Sequence, residues 1–176
     1  MNGPRKLSAS PDASAGVTLT LTPDLIEAAH ATARGRMIAN RSDGRVSRVI
    51  GGTADFETHL IGAVCEHAVM AVERTPLDCL VKHGSGFRAA TASDIDDLEI
   101  KGTIRPRGRL LVPGTRVFAH KRNKLLRYLL VRWLRDRNAV QIVGWQLGAV
   151  FLRPEYLDTT LPGKSYVAPW LWEYGR

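Results

Sequence analysis

Apolar residues recur at helical spacing early in the chain and at strand-like spacing later, so helices are expected first and a sheet after them. Residues 1–16 are polar and rich in Ser, Ala, Pro and Gly, and are expected to form a flexible N-terminal tail ahead of a single domain over 17–176. Thr22-Pro23-Asp24 then reads as a helix start. Thr22 can cap, Pro23 suits the first helical position, and Asp24 complements the positive end of the helix dipole. Leu25, Ile26, Ala29, Ala33 and Met37 continue it, with Gly35 as a weak point, and Arg41 to Gly52 reads as a loop. A second helix is predicted from Thr53 to about Arg74, where Phe56, Leu60, Ile61, Val64, Ala68, Ala71 and Val72 make one broad apolar face. Glu66 falls just beyond the edge of that face, and His59, Gly62 and Glu73 share its flank.

Thr75-Pro76 ends this helix, and short strands are expected after it. Leu77–Val81 is a strand candidate, His83–Ser93 a connection, and Leu98–Ile104, Arg109–Val112 and Val117–His120 are further strands. Arg127–Leu134 fits an amphipathic helix as well as a strand. The polar turn Arg135–Asn138 and the β-branched run Val140–Leu147 that follow it make a hairpin the more economical reading. The aromatic stretch Tyr166–Tyr174 is expected to pack back as a final strand. The fold class is therefore α/β, in one domain.

Composition changes this picture in one respect. The 176 residues are 44% hydrophobic and 24% charged, ordinary for a globular domain, but the net charge is +8. Twelve basic residues and one acid lie between Lys101 and Arg137, a local +11, against −3 for the remainder. A field so concentrated attracts polyanions, and most of it is Arg, which can fork onto phosphate oxygens. DNA is the expected partner, with RNA as the alternative. Arg105, Arg107, Arg109, Arg116, Lys121, Arg122 and Lys124 are the candidate contacts. Cys65 and Cys79 show no zinc-ligand spacing, no secretory signal is evident, and no apolar run approaches a membrane span. A cytoplasmic protein with free thiols is expected, and no membrane partner.

One cluster carries candidate chemistry: Ser93-Asp94-Ile95-Asp96-Asp97-Leu98-Glu99-Ile100-Lys101. On a strand, Glu99 and Lys101 share one face while Leu98 and Ile100 turn into the core. Asp94 lies just upstream. Two carboxylates converging with a backbone carbonyl offer oxygen ligands to a hard cation such as Mg²⁺. A lysine beside them can hold an attacking water or stabilise charge on a phosphate. The competing reading is a solvated strand edge with alternating charge.

The order of these elements resembles the PD-(D/E)XK nuclease superfamily, with its restriction-endonuclease-like mixed sheet and flanking helices. The resemblance rests on the helix Ile61–Val72 with Glu66 at its rim, then Asp94, then Glu99-Ile100-Lys101. Val140–Gly148 looks like the closing portion of small phage and prophage members, and the likeness spans roughly Leu60 to Trp170. It implies Mg²⁺- or Mn²⁺-dependent hydrolysis of DNA. Asp94 would be the central metal ligand, Glu99 the second, and the Ile100 carbonyl would complete the site. Lys101 would position or activate water, and Glu66 would approach from the helix. Ser93 stands where the family has a proline, and Asp96 and Asp97 stay open as alternatives to Asp94.

The remaining candidates carry less. His30, His59, His67, His83 and His120 read as surface or hydrogen-bonded residues, with His59 nearest to interest because it shares the flank of Glu66. Trp133, Trp145, Trp170 and Trp172 could stack bases, but their strand placement favours core or rim packing. Two rivals to the nuclease stand beside it: a non-catalytic nucleic-acid-binding module, and a phage structural or assembly protein. Under any of the three readings a homodimer is possible.

Overall fold

A computed structural model describes residues 5–9, 11, 15–42, 55–74, 97–114, 124–161 and 164–174. The strand candidates Leu77–Val81 and Val117–His120, the connection His83–Ser93, and Asp94, Asp96, Arg116, Lys121 and Arg122 lie outside these residues.

Two long helices come first. Helix α1 spans Pro23–Ser42, further than expected, and Thr22 Oγ1 accepts from the Leu25 N–H at 3.3 Å, as an N-cap should. Helix α2 spans Asp55–Glu73 and stops at Arg74, whose φ of 55° lies in the left-handed region that ends helices. The two pack on each other, and Ala29, Ala33, Ala63 and Ala68 are all buried. Such small side chains let helix backbones approach closely.

The strands are β1 (Lys6–Ser8), β2 (Val17–Thr20), β3 (Leu98–Thr103), β4 (Leu111–Pro113), β5 (Arg127–Leu134), β6 (Ala139–Leu147), β7 (Leu157–Asp158), β8 (Ser165–Val167) and β9 (Trp170–Glu173). They form a mixed sheet in the order β1-β9-β6-β5-β3, with β2 also on β6, and a small sheet β4-β8-β7. Among the described residues only β3 and β5 pair in parallel; the expected hairpin is β5–β6. Its turn closes at Asn138, another left-handed residue, whose amide group donates to the Leu21 carbonyl.

Alternation divides the sheet between two cores. Leu98, Ile100, Leu129, Val131, Val140 and Ile142 face the helices. Tyr128, Leu130, Val143 and Leu171 face the other way, onto Leu110 and Val112 near β4 and onto Phe151 of the short helix α3 (Gly148–Phe151). A β-bulge between Leu130 and Val131 leaves Val143 without a register partner on β5 and shifts the alternation along β6. Helix α2 lies tightly on β3. A Cβ at Gly102 would sit 2.9 Å from Cys65 Sγ and 3.1 Å from the Ile61 carbonyl, so glycine is required for this approach.

Two expectations need correction. The N-terminal segment contains structure: β1 pairs with β9, and Leu7 is buried in the second core. Polar side chains also fix the backbone that follows. Arg132 donates to the Pro11 carbonyl at 3.2 Å, Gln141 to the Ala15 carbonyl at 2.7 Å, and the Gly16 N–H donates to Glu173 at 3.1 Å. The expected closing strand is instead two strands in different sheets, β8 and β9. They are separated by Ala168-Pro169, where the proline has no N–H to continue a ladder. No helix among the described residues is long and apolar enough to cross a membrane.

Candidate active site and nucleic-acid interface

Among the described residues strand β3 is the last in the sheet order, and its residues divide as alternation requires. Leu98, Ile100 and Gly102 turn toward α2. Glu99 and Lys101 therefore share the opposite face, where the Lys101 ammonium donates directly to Glu99 Oε1. The Glu99 side chain is 9% exposed and that of Lys101 is 18% exposed. The Lys101 ammonium offsets part of the hydration that the Glu99 carboxylate loses on burial. Because the Ile100 side chain is in the core, only its backbone carbonyl remains as a ligand candidate.

Asp97 belongs to a different constellation. Arg127 donates to Oδ2 and Oδ1 of Asp97 at 2.7 Å each, and its backbone N–H donates to the Asp97 carbonyl at 2.9 Å. Hydrogen bonding by this guanidinium holds the Asp97 carboxyl below the usual aspartate range. Arg127 also lies over the Trp145 ring, 5.8 Å from its centroid. Of the three aspartates left open by the sequence, Asp97 is thus committed to β5. Asp94 and Asp96 lie outside the described residues.

Glu66 is buried between the helices, and both of its oxygens accept from Arg36 of α1: Oε1 from Nη1 at 2.9 Å, and Oε2 from Nη2 in a shorter contact. The structure therefore places Glu66 in the α1–α2 interface, while Glu99 and Lys101 project from the sheet face turned away from α2. His67 lies beside it, 4% exposed, with Nε2 3.0 Å from Thr32 Oγ1. Burial and the Arg36 charge push its pKa down to about 4, so the ring is neutral at neutral pH. Its Nδ1 has no hydrogen-bond partner among the described residues. Cys65 is fully buried, and burial pushes its thiol pKa up. His59 pairs with Asp55 one helical turn away, at 3.2 Å.

Beyond Thr103 the chain forms a tight turn. The Gly108 N–H donates to the Arg105 carbonyl at 3.0 Å, and the Arg105 N–H to Thr103 Oγ1 at 3.1 Å. A Cβ at Gly108 would come within 2.7 Å of the Thr103 side chain, so the turn needs glycine there. Arg105, Arg107 and Arg109 are all exposed on it, and Lys124 is exposed ahead of β5. The arginine turn thus follows directly from the strand that carries Glu99 and Lys101. Not all of the basic segment is available to a polyanion. Arg132 is 1% exposed and donates to Gln141 at 2.7 Å, and Arg135 pairs with Glu57 at 2.6 Å over the Trp133 ring.

As a cation site, the donors fit a hard ion: a carboxylate and a backbone carbonyl on β3. Among the described residues no group of three His, Cys, Asp or Glu side chains comes together. Sequence reasoning misses Arg36 and Arg127 as site neighbours. Each lies 30 residues from the acid it grips, beyond the reach of local spacing rules. The chain matches no family model, no curated protein and no solved structure.

Proposed function

We propose that this chain is a metal-dependent nuclease that hydrolyses DNA phosphodiester bonds on the β3 face. The observation that carries the reading is the contact between Glu99 and Lys101 on one face of β3, immediately before the exposed arginine turn. The roles follow from chemistry. Glu99 and the Ile100 carbonyl would hold Mg²⁺ or Mn²⁺, with Asp94 as the further carboxylate. The bound ion would supply Lewis-acid polarisation and a water of lowered pKa. Lys101 would hold the attacking water or the phosphate oxygens, exchanging its contact with Glu99 for them. Arg105, Arg107 and Arg109 would hold the DNA backbone without reading sequence. The restriction-endonuclease-like architecture belongs to the same proposal, supported by a mixed sheet with its two long helices on one face.

A second reading, a nucleic-acid-binding module without catalysis, is favoured by one observation: both oxygens of Glu66 are engaged by Arg36. Incubating plasmid DNA with the protein and Mg²⁺ or Mn²⁺, against an EDTA control, separates the two. Nicked or linear product only with metal supports the nuclease. Binding without product in either metal supports the module.

A further inference from the structure

The sheet carries a second exposed chemistry on its helix-facing side. Helix α2 covers β3, β5 and β6, while β9 and β1 lie beyond them in the strand order. Along β9, Leu171 and Glu173 are buried and Trp170 and Trp172 are partly exposed, so the two indoles share a face. Trp172 is registered opposite Trp145 on β6 and opposite Lys6 on β1, which extends that face across three strands. The Trp170 and Trp172 rings meet edge to face, with centroids 4.7 Å apart. The Lys6 ammonium stands 4.3 Å from the centre of the Trp170 ring. Lys6 and its neighbour Arg5 are both exposed.

We propose that Trp170 and Trp172, with Lys6 beside them, form a platform on which unpaired bases of single-stranded DNA stack. The inference rests on the reading of the chain as a DNA-acting protein and adds the kind of strand it holds. Indole faces offer stacking that any base can use, and a duplex hides its base faces. Lys6 covers the ring face that a base would take. It is also long and exposed enough to move onto the attached phosphate. The occupant is fixed by charge: Arg5 and Lys6 give the platform a positive rim, which suits a polyanion with flat apolar bases. The Glu173 carboxylate is on the other side of the strand and accepts from Gly16.

The test is equilibrium binding in EDTA, where no cleavage intervenes. Three labelled ligands of equal length are compared: oligothymidylate of about 20 nucleotides, the matching abasic oligomer, and a duplex. The wild type should bind oligothymidylate at least about tenfold more tightly than the abasic strand. Trp170→Ala and Trp172→Ala should each lose most of that difference, and Trp170→Phe should retain it. Duplex affinity should not change in any of the three. Equal affinity of the wild type for the thymidine and abasic strands overturns the platform, whether or not the variants fold, and duplex binding would then leave the DNA-acting reading standing. A wild type that binds none of the three ligands overturns that reading, and the platform with it.

Discussion

Arg127 grips both carboxylate oxygens of Asp97 at 2.7 Å and bonds the same residue through its backbone, which fixes the entry of β3 against β5 two residues before Glu99. An aspartate so occupied acts as a clamp on the strand. Its side chain is half exposed, so solvent screens the pair.

Asp97→Asn should therefore cost no more than about 1 kcal/mol in urea unfolding. It should leave the affinity for Mn²⁺, measured by calorimetry, unchanged. The Asp97 pKa is depressed in the fold, so its stabilising contribution is present above the unfolded aspartate pKa and is lost as pH falls through the lower folded value. The variant and the wild type should accordingly converge in stability under strongly acidic conditions. A large drop in metal affinity in Asp97→Asn would instead make Asp97 a ligand.

The Glu66–Arg36 pair sits in the helix interface, with side chains 8% and 19% exposed. Neutralising Glu66 takes away the buried charge that both Arg36 nitrogens grip. Glu66→Gln should lower stability by about 3 kcal/mol, visible as a markedly lower urea midpoint. Cleavage per folded molecule should remain. Intact stability with abolished cleavage would give Glu66 the site role that its sequence position suggests.

His67 makes stability depend on pH near neutrality. Its pKa falls from an ordinary value near 6.5 to about 4 in the fold. Below pH 6.5 the unfolded chain takes up a proton that the folded chain refuses, so stability is lost as pH falls from 6.5 toward 4. Between pH 7 and pH 5 the loss from this residue should be about 2 kcal/mol. Urea titrations at the two pH values should show that difference in the wild type and a much smaller one in His67→Leu.

Replacing Arg105, Arg107 and Arg109 together by Ala should weaken duplex binding with little sequence preference. The log–log dependence on salt should flatten by about one unit for each phosphate that is no longer neutralised. An unchanged slope in fluorescence anisotropy titrations would place the DNA-binding surface elsewhere.

The helix start at Thr22, the β5–β6 hairpin, and the shared face of Glu99 and Lys101 are legible in the sequence because each depends on neighbours a few residues apart. β1 is not legible. Three residues of ordinary polarity become a strand only because β9 offers an open edge, and because Arg132, Gln141 and Glu173 hold the backbone between β1 and β2. The same arginine shows why counting charge overstates the basic surface: a residue between Val131 and Trp133 on a central strand is carried inside whatever its charge. The position of Glu66 at the rim of an apolar face is visible in the helical periodicity. Its partner on α1 is beyond any periodicity, since helix–helix register is set by tertiary packing. The division of the C-terminal aromatic run between two sheets follows from Pro169, a strand break in the middle of the run.

The central claim is that Lys101 acts with Glu99 on a scissile phosphate, and it is tested most directly by comparing cleavage and binding in Lys101→Ala. Single-turnover cleavage of plasmid DNA in Mg²⁺ should fall by at least about a hundredfold, the scale of losing one preorganised charge at a reacting centre. DNA affinity in EDTA should stay within about twofold, because one partly buried lysine adds little to the phosphate contacts. Mn²⁺ should not restore the variant, whose carboxylate ligands are untouched. Wild-type protein that binds DNA yet cuts it in neither metal, or a Lys101→Ala variant that cuts as fast as wild type, would contradict the account.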